Sequence, residues 1–379
     1  MKIGILFPIS GAHPGIGLDL MDGLNSYLKL KQHTATVSFQ RESVGFGASE
    51  KDVCLKAEKL LIADDVDILI AYVDEKVLHI IYPLVQATGK LMIVVNPGAN
   101  YPISWVPQPT VIRLNLQHAF LCWLSGALAA SSGNGSAALA TTYYDCGYLH
   151  AAAMVKHFLQ QGGNMMYNYI NNQPYNDSFD INNLTGFLAA NPDCENLLCV
   201  FDELPASLFT KLLNKYPAAS SLHLFASPMM LQQQSAIDIE NRSTYSIEGY
   251  LPWQPELQND ANHLFQKTST RPVTIFSLLG WETAMILNEI IEHLQDYAAN
   301  GDKAVAHLTS TVLNGPRGEL KLDPETLIYM APAIKYQLKA GSSIPETTYL
   351  TNLEKEWKSF TAEPTEGAVT GWLNTYLCY

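Results

Sequence analysis

Hydroxyl, carboxylate and aromatic side chains follow a series of short apolar segments along this chain, where they could bind a small polar molecule. Hydroxyl and carboxylate oxygens can hydrogen-bond such a molecule, and a carboxylate also suits an ammonium group. An aromatic ring can pack against the apolar part of a ligand. The residues of this kind are Ser10, His13, Asp74, Tyr144, Asp202, Ser227 and Phe276.

Most of these residues also have a purely structural interpretation. Ser10, Asp202 and Ser227 carry the side chains of helix caps. Asp74 precedes a predicted helix and suits its N-cap, where a carboxylate favours the helix dipole. His13 suits a polar position at the rim of a loop. The sequence leaves both interpretations open.

Patterns typical of catalysis, metal binding or phosphate binding are absent from the sequence. It contains neither H-E-x-x-H nor G-x-S-x-G, and no pair of histidines has metal-ligand spacing. Gly11, Gly15 and Gly17 lack the spacing of a phosphate-binding loop, and no Gly-Lys-Ser/Thr follows them. We therefore expect a protein that is not an enzyme, with no catalytic residues, no metal site and no cofactor.

Predicted strands and helices alternate and place the candidate residues after strands. The first helix is amphipathic, with Leu18, Met21, Leu24 and Leu28 on one stripe. The predicted strands are Lys2–Phe7, Thr34–Phe39, Val66–Tyr72, Leu91–Val95, Ser136–Thr142, Met165–Ile170, Asn196–Phe201, His223–Ala226, Ile247–Trp253 and Ala331–Lys339. The predicted helices are Ile16–Leu30, Ser49–Ala63, Lys76–Thr88, Phe120–Ser131, Gly147–Gln160, Asp180–Ala190, Pro205–Lys215, Asn259–Thr268, Ile275–Ala298 and Lys303–Asn314.

This alternation predicts an α/β fold with two arrays, each a doubly wound parallel sheet covered by helices on both faces. In such sheets a ligand binds at the carboxyl ends of the strands. The polar segment from Ser342 follows the second array, and we expect Trp357, Trp372 and Tyr376 to anchor it to the body of the protein.

The composition excludes some classes of function. The chain has 379 residues, of which 47% are hydrophobic and 16% charged, enough for two globular domains. Its net charge of -13 and its lack of a basic cluster argue against nucleic acid as a partner. The longest apolar runs, such as Val66–Val73, are too short for a membrane span.

Cysteine usage and the N-terminus bear on the cellular compartment. The six cysteines include no C-x-x-C pair, and we expect most of them to be buried apolar residues. Met1 leads directly into the first strand without the pattern of a signal peptide. We expect either a cytoplasmic protein or an exported chain whose signal has been removed.

Four segments of the sequence resemble one known family. They are Ile3–Tyr27, Cys54–Ala71, Met92–Asn100, and Ser277–Leu287 together with Asn314–Asp323. In this order the segments resemble the type I periplasmic solute-binding proteins, in the branch of the leucine/isoleucine/valine-binding proteins. The resemblance extends to about Lys339 and thus covers most of the chain.

The resemblance implies two α/β lobes joined by three crossovers, with a small-molecule ligand captured between the lobes by hinge closure. It places the crossovers near Gln117–Phe120, Gly249–Trp253 and Tyr329–Ala333. The lobes are then 1–117 with 253–329, and 118–252 with 330–379. The implied partners are the permease and ATPase subunits of an ABC importer, the implied compartment is periplasmic or extracytoplasmic, and we expect a monomer.

The resemblance also adds residues to the candidate site and marks departures from the family. Asn96, Ala99 and Asn100 lie in a loop whose family counterpart contacts the ligand, and Cys146 replaces an aromatic residue. Amino-acid binders hold the α-carboxylate with hydroxyl side chains after the third and fourth strands. Here an acid, Asp74, stands at one of these positions and would repel a carboxylate. We therefore expect a small polar organic ligand, namely an amino acid, an amide or a related metabolite, although Asp74 argues against an ordinary amino acid.

Two other hypotheses remain open at this stage. The same fold serves in ligand-sensing regulators and receptor domains, which would bind a solute without transporting it. A Rossmann-type enzyme would need a glycine fingerprint followed about 20 residues later by an acid. The acid is present at Glu42, but the glycine pattern is not.

Overall fold

The computed structural model describes residues 1–11, 13–97, 102, 104–142, 149–172, 179–234, 244–293 and 300–365. Its strands, in chain order, are β1 (Lys2–Phe7), β2 (Ser38–Ser43), β3 (Ile68–Ala71), β4 (Leu91–Val95), β5 (Val111–Leu114), β6 (Ser136–Thr142), β7 (Asn164–Asn171), β8 (Asn196–Val200), β9 (His223–Ala226), β10 (Ser246–Leu251), β11 (Val312–Gly315), β12 (Gly318–Leu322), β13 (Tyr329–Met330), β14 (Ala333–Leu338) and β15 (Glu346–Leu350).

The α-helices are α1 (Ile16–Leu30), α2 (Glu50–Glu58), α3 (Leu78–Thr88), α4 (His118–Ala130), α5 (Leu149–Gln160), α6 (Asn182–Ala190), α7 (Glu203–Leu213), α8 (Pro228–Gln234), α9 (Asp260–Thr268), α10 (Ile275–His293), α11 (Gly301–Thr309) and α12 (Glu354–Thr361). A π-helical turn, Lys59–Ala63, extends α2, and a 3-10 turn, Glu75–Val77, precedes α3. Among the described residues, no helix is long and apolar enough to cross a bilayer.

The chain folds into two compact units. Unit 1 comprises Met1–Leu116 and Pro255–Pro332. Unit 2 comprises Gln117–Gln254 and the described part of Ala333–Thr375. The chain therefore passes from one unit to the other after residues 116, 254 and 332, beside the three crossovers that the resemblance implies.

Unit 1 is built on a parallel sheet with the strand order β2-β1-β3-β4-β5. The side chains of β3 and β4 are buried throughout, as expected for strands covered on both faces. A core of Val, Leu, Ile and Ala side chains from α2, α3 and these strands fills one face. A second, antiparallel sheet with the order β11-β12-β13 completes the unit.

Helices α1 and α10 pack at unusually short range in unit 1, because glycines stand at the crossing. A Cβ atom on Gly23 would lie 1.9 Å from the carbonyl oxygen of Ser277. A Cβ on Gly280 would lie 2.0 Å from the carbonyl oxygen of Leu20. Any side chain at these positions would force the helices apart, so both glycines are required by the packing.

Unit 2 is built on a mixed sheet with the order β15-β14-β10-β9-β8-β6-β7. Strands β6 to β10 are mutually parallel. Strand β14 pairs antiparallel with β10, and β15 pairs antiparallel with β14 at the edge of the sheet. Helix α12 packs through the buried Trp357, whose ring lies 5.3 Å from that of Phe120 in α4. Trp357 thus anchors the segment after Ser342 as predicted, whereas Trp372 and Tyr376 lie outside the described residues.

Several predicted elements differ from the structure. The predicted strand Thr34–Phe39 begins only at Ser38, because Thr36 and Val37 donate backbone hydrogen bonds to His33 in a turn. The predicted stripe of α1 is wrong at Leu18, which is 59% exposed, while Met21, Leu24 and Leu28 are buried.

The predicted helix Lys303–Asn314 is also too long. It ends at Thr309, where the hydroxyls of Ser310 and Thr311 donate to the carbonyl of His307 at 2.8 Å each. The chain then enters β11, which pairs with β12. Strands β5 and β15 and helices α8 and α12 are short or polar and are missing from the sequence prediction.

Three of the cysteines are buried as predicted, namely Cys122, Cys194 and Cys199. Burial raises the pKa of the Cys194 thiol to about 11, which keeps it protonated and unreactive. Cys54 is half-buried, and Cys146 and Cys378 lie outside the described residues.

Candidate functional site

The carboxyl edge of the unit 1 sheet gathers three of the candidate residues. Strands β1, β3 and β4 are neighbours and run parallel, so the segments that follow them meet at one edge. Ser10, Asp74 and Asn96 follow these three strands, and all three side chains are buried. The backbone N–H of Asn96 donates to the carbonyl of Leu114 at 3.3 Å, so this residue is still held beside β5.

Ser10 and His13 order the turn between β1 and α1. The Ser10 hydroxyl oxygen accepts the backbone N–H of His13 at 3.0 Å. The carbonyl of His13 then accepts the N–H of Ile16, the first residue of α1, at 2.9 Å. Ser10 therefore orders the turn, but it does not cap α1, whose N-cap is Gly15 without a side-chain hydrogen bond. The helix-capping interpretation of Ser10 is wrong, and its hydroxyl proton is left available for donation.

An aromatic contact joins the β1–α1 turn to the first turn of α10. The imidazole of His13 lies edge-on to the ring of Phe276, with ring centroids 5.4 Å apart. Edge-to-face contacts of this kind favour a fixed orientation of both rings. The structure thus brings together two candidate residues that are 263 positions apart in the chain.

Asp74 caps the 3-10 turn that leads into α3. Its carboxylate accepts the N–H of Lys76 at 3.1 Å, and its own N–H donates to the carbonyl of Gly47 at 3.0 Å. Gly47 has a positive φ of 68°, and a Cβ there would lie 2.9 Å from the Cα of Val73. The capping interpretation of Asp74 is confirmed. The loop after β2 must carry glycine at position 47, because a side chain there would collide with the backbone of Val73.

A buried ion pair that was not predicted involves Glu75, the residue that follows Asp74. The guanidinium of Arg113, in β5, donates to the carboxylate of Glu75 at 2.8 and 3.2 Å and to the hydroxyl of Tyr82 at 2.7 Å. Burial alone would lower the pKa of Arg113, but the charge of Glu75 outweighs this effect and raises it. Glu75 therefore serves the structure, and the one sequence signal was an arginine within the apolar segment Val111–Leu114.

Tyr72, between β3 and Asp74, has a buried hydroxyl with no hydrogen-bond partner among the described residues. Burial raises the pKa of this phenol well above its ordinary value. Unsatisfied buried hydroxyls are rare in native proteins. In the sequence Tyr72 is the last residue of a predicted strand, and nothing in its neighbourhood indicates an unpaired hydroxyl.

In unit 2 the structure places Asp202 and Ser227 after the adjacent strands β8 and β9. The carbonyl of Asp202 accepts the N–H of Ala206 at 2.7 Å, at the start of α7. The hydroxyl oxygen of Ser227 accepts the N–H of Met230 at 3.4 Å and caps α8, and the same hydroxyl lies 3.4 Å from the carbonyl of Phe201. Both side chains are buried at the carboxyl edge of this sheet, and Ser227 acts as a helix cap there.

The remaining candidates, Ala99, Asn100, Tyr144 and Cys146, lie outside the described residues. Within the described part of the chain, no group of three or more His, Cys, Asp or Glu side chains has the geometry to hold a metal ion.

Comparisons with known proteins agree with this architecture. A profile of a family described as periplasmic binding protein matches residues 1–342. An ABC transporter substrate-binding protein from Sphaerobacter thermophilus shares the fold with a TM-score of 0.73 at 14% identity, and the match covers 93% of this chain and 96% of that one. A search of curated proteins gives no significant match.

Two further solved structures show the same similarity. A solute-binding protein of an ABC transporter from R. palustris, in complex with benzoate, has a TM-score of 0.68 at 19% identity, with 92% of this chain and 95% of that chain covered. An ABC-type branched-chain amino acid transporter from Rhodopseudomonas palustris has a TM-score of 0.68 at 15% identity, with 92% and 96% covered. At these identities the similarity shows the fold and leaves the ligand open.

Proposed function

The chain belongs to the type I periplasmic binding protein family, and on this premise we propose that it captures a small polar organic molecule and delivers it to an ABC importer. Capture proceeds by hinge closure of the two units. Ligand binding can shift such an equilibrium only through its higher affinity for the closed form. A micromolar ligand supplies roughly 8 kcal/mol in total, which a few hydrogen bonds and one aromatic contact provide.

The observation that carries the proposal is the carboxyl edge of the unit 1 sheet. Ser10, Asp74 and Asn96 follow three adjacent parallel strands, and the His13–Phe276 contact lies at the start of α1 and α10. Hydroxyl, carboxylate and amide groups beside an aromatic surface are the usual composition of a small-molecule site. Asp202 and Ser227 supply the corresponding groups at the carboxyl edge of unit 2.

The ligand class follows from the charge of these groups. The carboxylate of Asp74 disfavours a ligand held through its own carboxylate, and favours an ammonium or amide group. Burial lets such a charge act over a longer range than it would in water. We propose an amide, an amine-bearing metabolite or a related polar molecule. Two similar solute-binding proteins have structures in complex with benzoate and 4-hydroxybenzoate. Aromatic acids are therefore the ligands against which binding of amides and amines should be compared.

We also propose partners and a compartment for this protein. The ligand is passed to the permease and ATPase subunits of an ABC importer, in the periplasmic or extracytoplasmic space, by a monomeric protein. Binding itself requires no catalysis. Stimulation of ATP hydrolysis by the vesicle-embedded permease and ATPase subunits, when the loaded protein is added, would distinguish delivery from a role as a ligand sensor.

A thermal-shift screen followed by calorimetry tests the proposal. The panel contains amino acids, their amides, short organic acids, amines and benzoates. A ligand at 100 times its Kd stabilises the folded protein by about 2.7 kcal/mol, which gives a clear rise in melting temperature. We expect at least one amide or amine to produce this rise. A panel in which no compound changes the melting temperature would contradict the proposal.

The site residues are tested with the compound that the screen selects. We expect Asp202→Ala and Asn100→Ala to weaken its Kd at least tenfold, about 1.4 kcal/mol. The matched control for Asp202→Ala is Asp193→Ala, which removes an exposed carboxylate from unit 2 and should leave Kd unchanged. Unchanged affinity in both site variants would remove these residues from the site.

A further inference from the structure

A serine, a histidine and a glutamate form a hydrogen-bonded chain at the amino edge of the unit 2 sheet. The hydroxyl of Ser132 lies 3.1 Å from Nδ1 of His223. On the other side of the ring, Nε2 of His223 lies 3.0 Å from a carboxylate oxygen of Glu248. A nucleophile within hydrogen-bond distance of a base, which is itself oriented by a third group, is the arrangement of an activated serine.

The environment of Glu248 keeps its carboxylate ionised. Gln337 donates to the same oxygen that faces His223, and the ammonium of Lys335 lies 3.6 Å from the other oxygen. Burial alone would raise the pKa of Glu248, but these groups and His223 outweigh it and lower the pKa. A carboxylate can only accept a hydrogen bond, so Nε2 of His223 is the donor to Glu248. In the tautomer that carries its proton on Nε2, Nδ1 is the acceptor for the Ser132 hydroxyl.

The backbone holds Ser132 in place for this contact. Its carbonyl accepts the side-chain amide of Asn196 at 3.0 Å and the N–H of Gly135 at 3.1 Å, and its own N–H donates to Ala129 at 3.1 Å. Gly133 follows with a positive φ of 57°. Among the described residues, the backbone N–H groups of Gly133 and Asn134 donate to no carbonyl.

From this geometry we propose that Ser132 is a nucleophile, with His223 as its general base and Glu248 as the residue that orients the base, and that it hydrolyses small activated esters. The Ser132 oxygen attacks the ester carbonyl carbon, and its proton passes to Nδ1 of His223. The alcohol leaves with that proton, and water then cleaves the acyl-serine to release the acid. The products balance as one acid and one alcohol from one ester and one water.

This site is separate from the proposed ligand-binding edge. His223 is the first residue of β9, and Ser227 follows the last residue of the same strand. Four residues of extended chain separate them by about 13 Å. Ser132 and His223 are both half-buried rather than enclosed, which suits small substrates. The ester-hydrolysing site can therefore be tested without knowledge of the transported ligand.

The test uses a fluorophosphonate probe and p-nitrophenyl acetate on the full chain. The probe forms a phosphorus–oxygen bond with an activated serine and releases fluoride. We expect mass spectrometry of peptides from the labelled protein to place the probe on Ser132. We expect Ser132→Ala to abolish labelling and to lower the rate of p-nitrophenyl acetate hydrolysis at least tenfold.

The neighbouring serine provides the matched control. Ser131→Ala removes an exposed hydroxyl that donates only to the carbonyl of Leu128, so labelling and hydrolysis should equal those of the wild type. His223→Gln should abolish labelling, and Glu248→Gln should lower it by about tenfold through loss of orientation. Wild-type protein that takes up no probe, or a Ser132→Ala variant that hydrolyses the ester at the wild-type rate, overturns the proposal.

Discussion

Two ion pairs of unit 1 differ from one charged network of unit 2 in their access to water. In unit 1, Arg317 pairs with Glu282 at 2.7 Å and Arg113 pairs with Glu75 at 2.8 Å, and all four side chains are buried. In unit 2, Glu248 is buried, but its partners His223 and Lys335 have side chains that are 26% and 34% exposed. These two pairs of unit 1 are closed to water and hold elements of the fold together. The unit 2 network reaches solvent and can exchange protons.

The largest expected effect comes from breaking a fully buried ion pair. Arg317→Met leaves the fully buried carboxylate of Glu282 without the arginine that donates three hydrogen bonds to it. We expect the free energy of unfolding to fall by about 3–5 kcal/mol, because an uncompensated charge would remain in the interior. Urea denaturation followed by fluorescence and by circular dichroism measures the loss.

The double variant Arg317→Met with Glu282→Leu is the control for this prediction. Replacing both members of a buried pair by apolar residues is often close to neutral, so the double variant should recover most of the lost stability. A single variant that loses less than about 1 kcal/mol would show that this pair is not closed to water.

The second largest effect concerns the network of Glu248, His223 and Lys335, whose contribution to the free energy of unfolding depends on pH. The folded-state pKa of Glu248 is lowered, so the folded chain binds this proton less readily than the unfolded chain does. The resulting stability is present above the ordinary value of 4.5 and is lost as pH falls through the lowered pKa. Glu248→Gln removes this contribution, and its urea midpoint should therefore fall less steeply than that of the wild type below pH 4.5.

An exposed glutamate of unit 2 provides the control for the pH experiment. Glu346 pairs with Lys339 at 2.7 Å, but both side chains are more than half exposed. We expect Glu346→Gln to follow the wild-type dependence on pH, because a solvated pair contributes little. Parallel curves for the wild type and Glu248→Gln would mean that Glu248 is not stabilised in its charged form.

The smallest effect compares a tyrosine hydroxyl of each unit. In unit 1 the Tyr72 hydroxyl lacks a partner among the described residues, whereas in unit 2 the Tyr169 hydroxyl donates to the carbonyl of Asp180 and accepts the Asn171 amide. Tyr72→Phe should leave the free energy of unfolding within about 0.5 kcal/mol of the wild type or raise it slightly. Tyr169→Phe should lower it by about 1 kcal/mol. Equal losses of unfolding free energy in the two variants would mean that the Tyr72 hydroxyl has a hydrogen-bond partner.

Much of the fold is predictable because its strands are short, apolar and flanked by turn residues. Strands β1, β4, β6 and β9 and helix α1 have the predicted bounds. Strand β5 escapes prediction, because Arg113 interrupts its apolar pattern and is tolerated only through Glu75 and Tyr82. Glu75, which pairs with the buried charge of Arg113, is 38 positions away in the chain. Local sequence patterns therefore do not indicate this pair.

The candidate site is predictable to a similar extent. That Ser10, Asp74 and Asn96 follow neighbouring strands could be inferred from the alternation of elements, and the strand order agrees. Their roles in ligand binding stay predictions. The hydrogen bonds that Ser10 and Asp74 accept from nearby backbone N–H groups could be anticipated because they are local. The chain Ser132–His223–Glu248 could not, because its members are 91 and 25 positions apart.

The sequence by itself determined the α/β class, the family and the strand ends at which polar groups collect, because these depend on periodicity and on residue types close together in the chain. Only the tertiary structure decided which charges are paired, which hydroxyls are satisfied and which distant side chains meet. Those outcomes depend on contacts between residues far apart in the chain. Glu75, Glu282 and Glu248 cannot be told apart in the sequence. The partner that each carboxylate meets in the fold determines whether it forms a buried ion pair or orients a histidine.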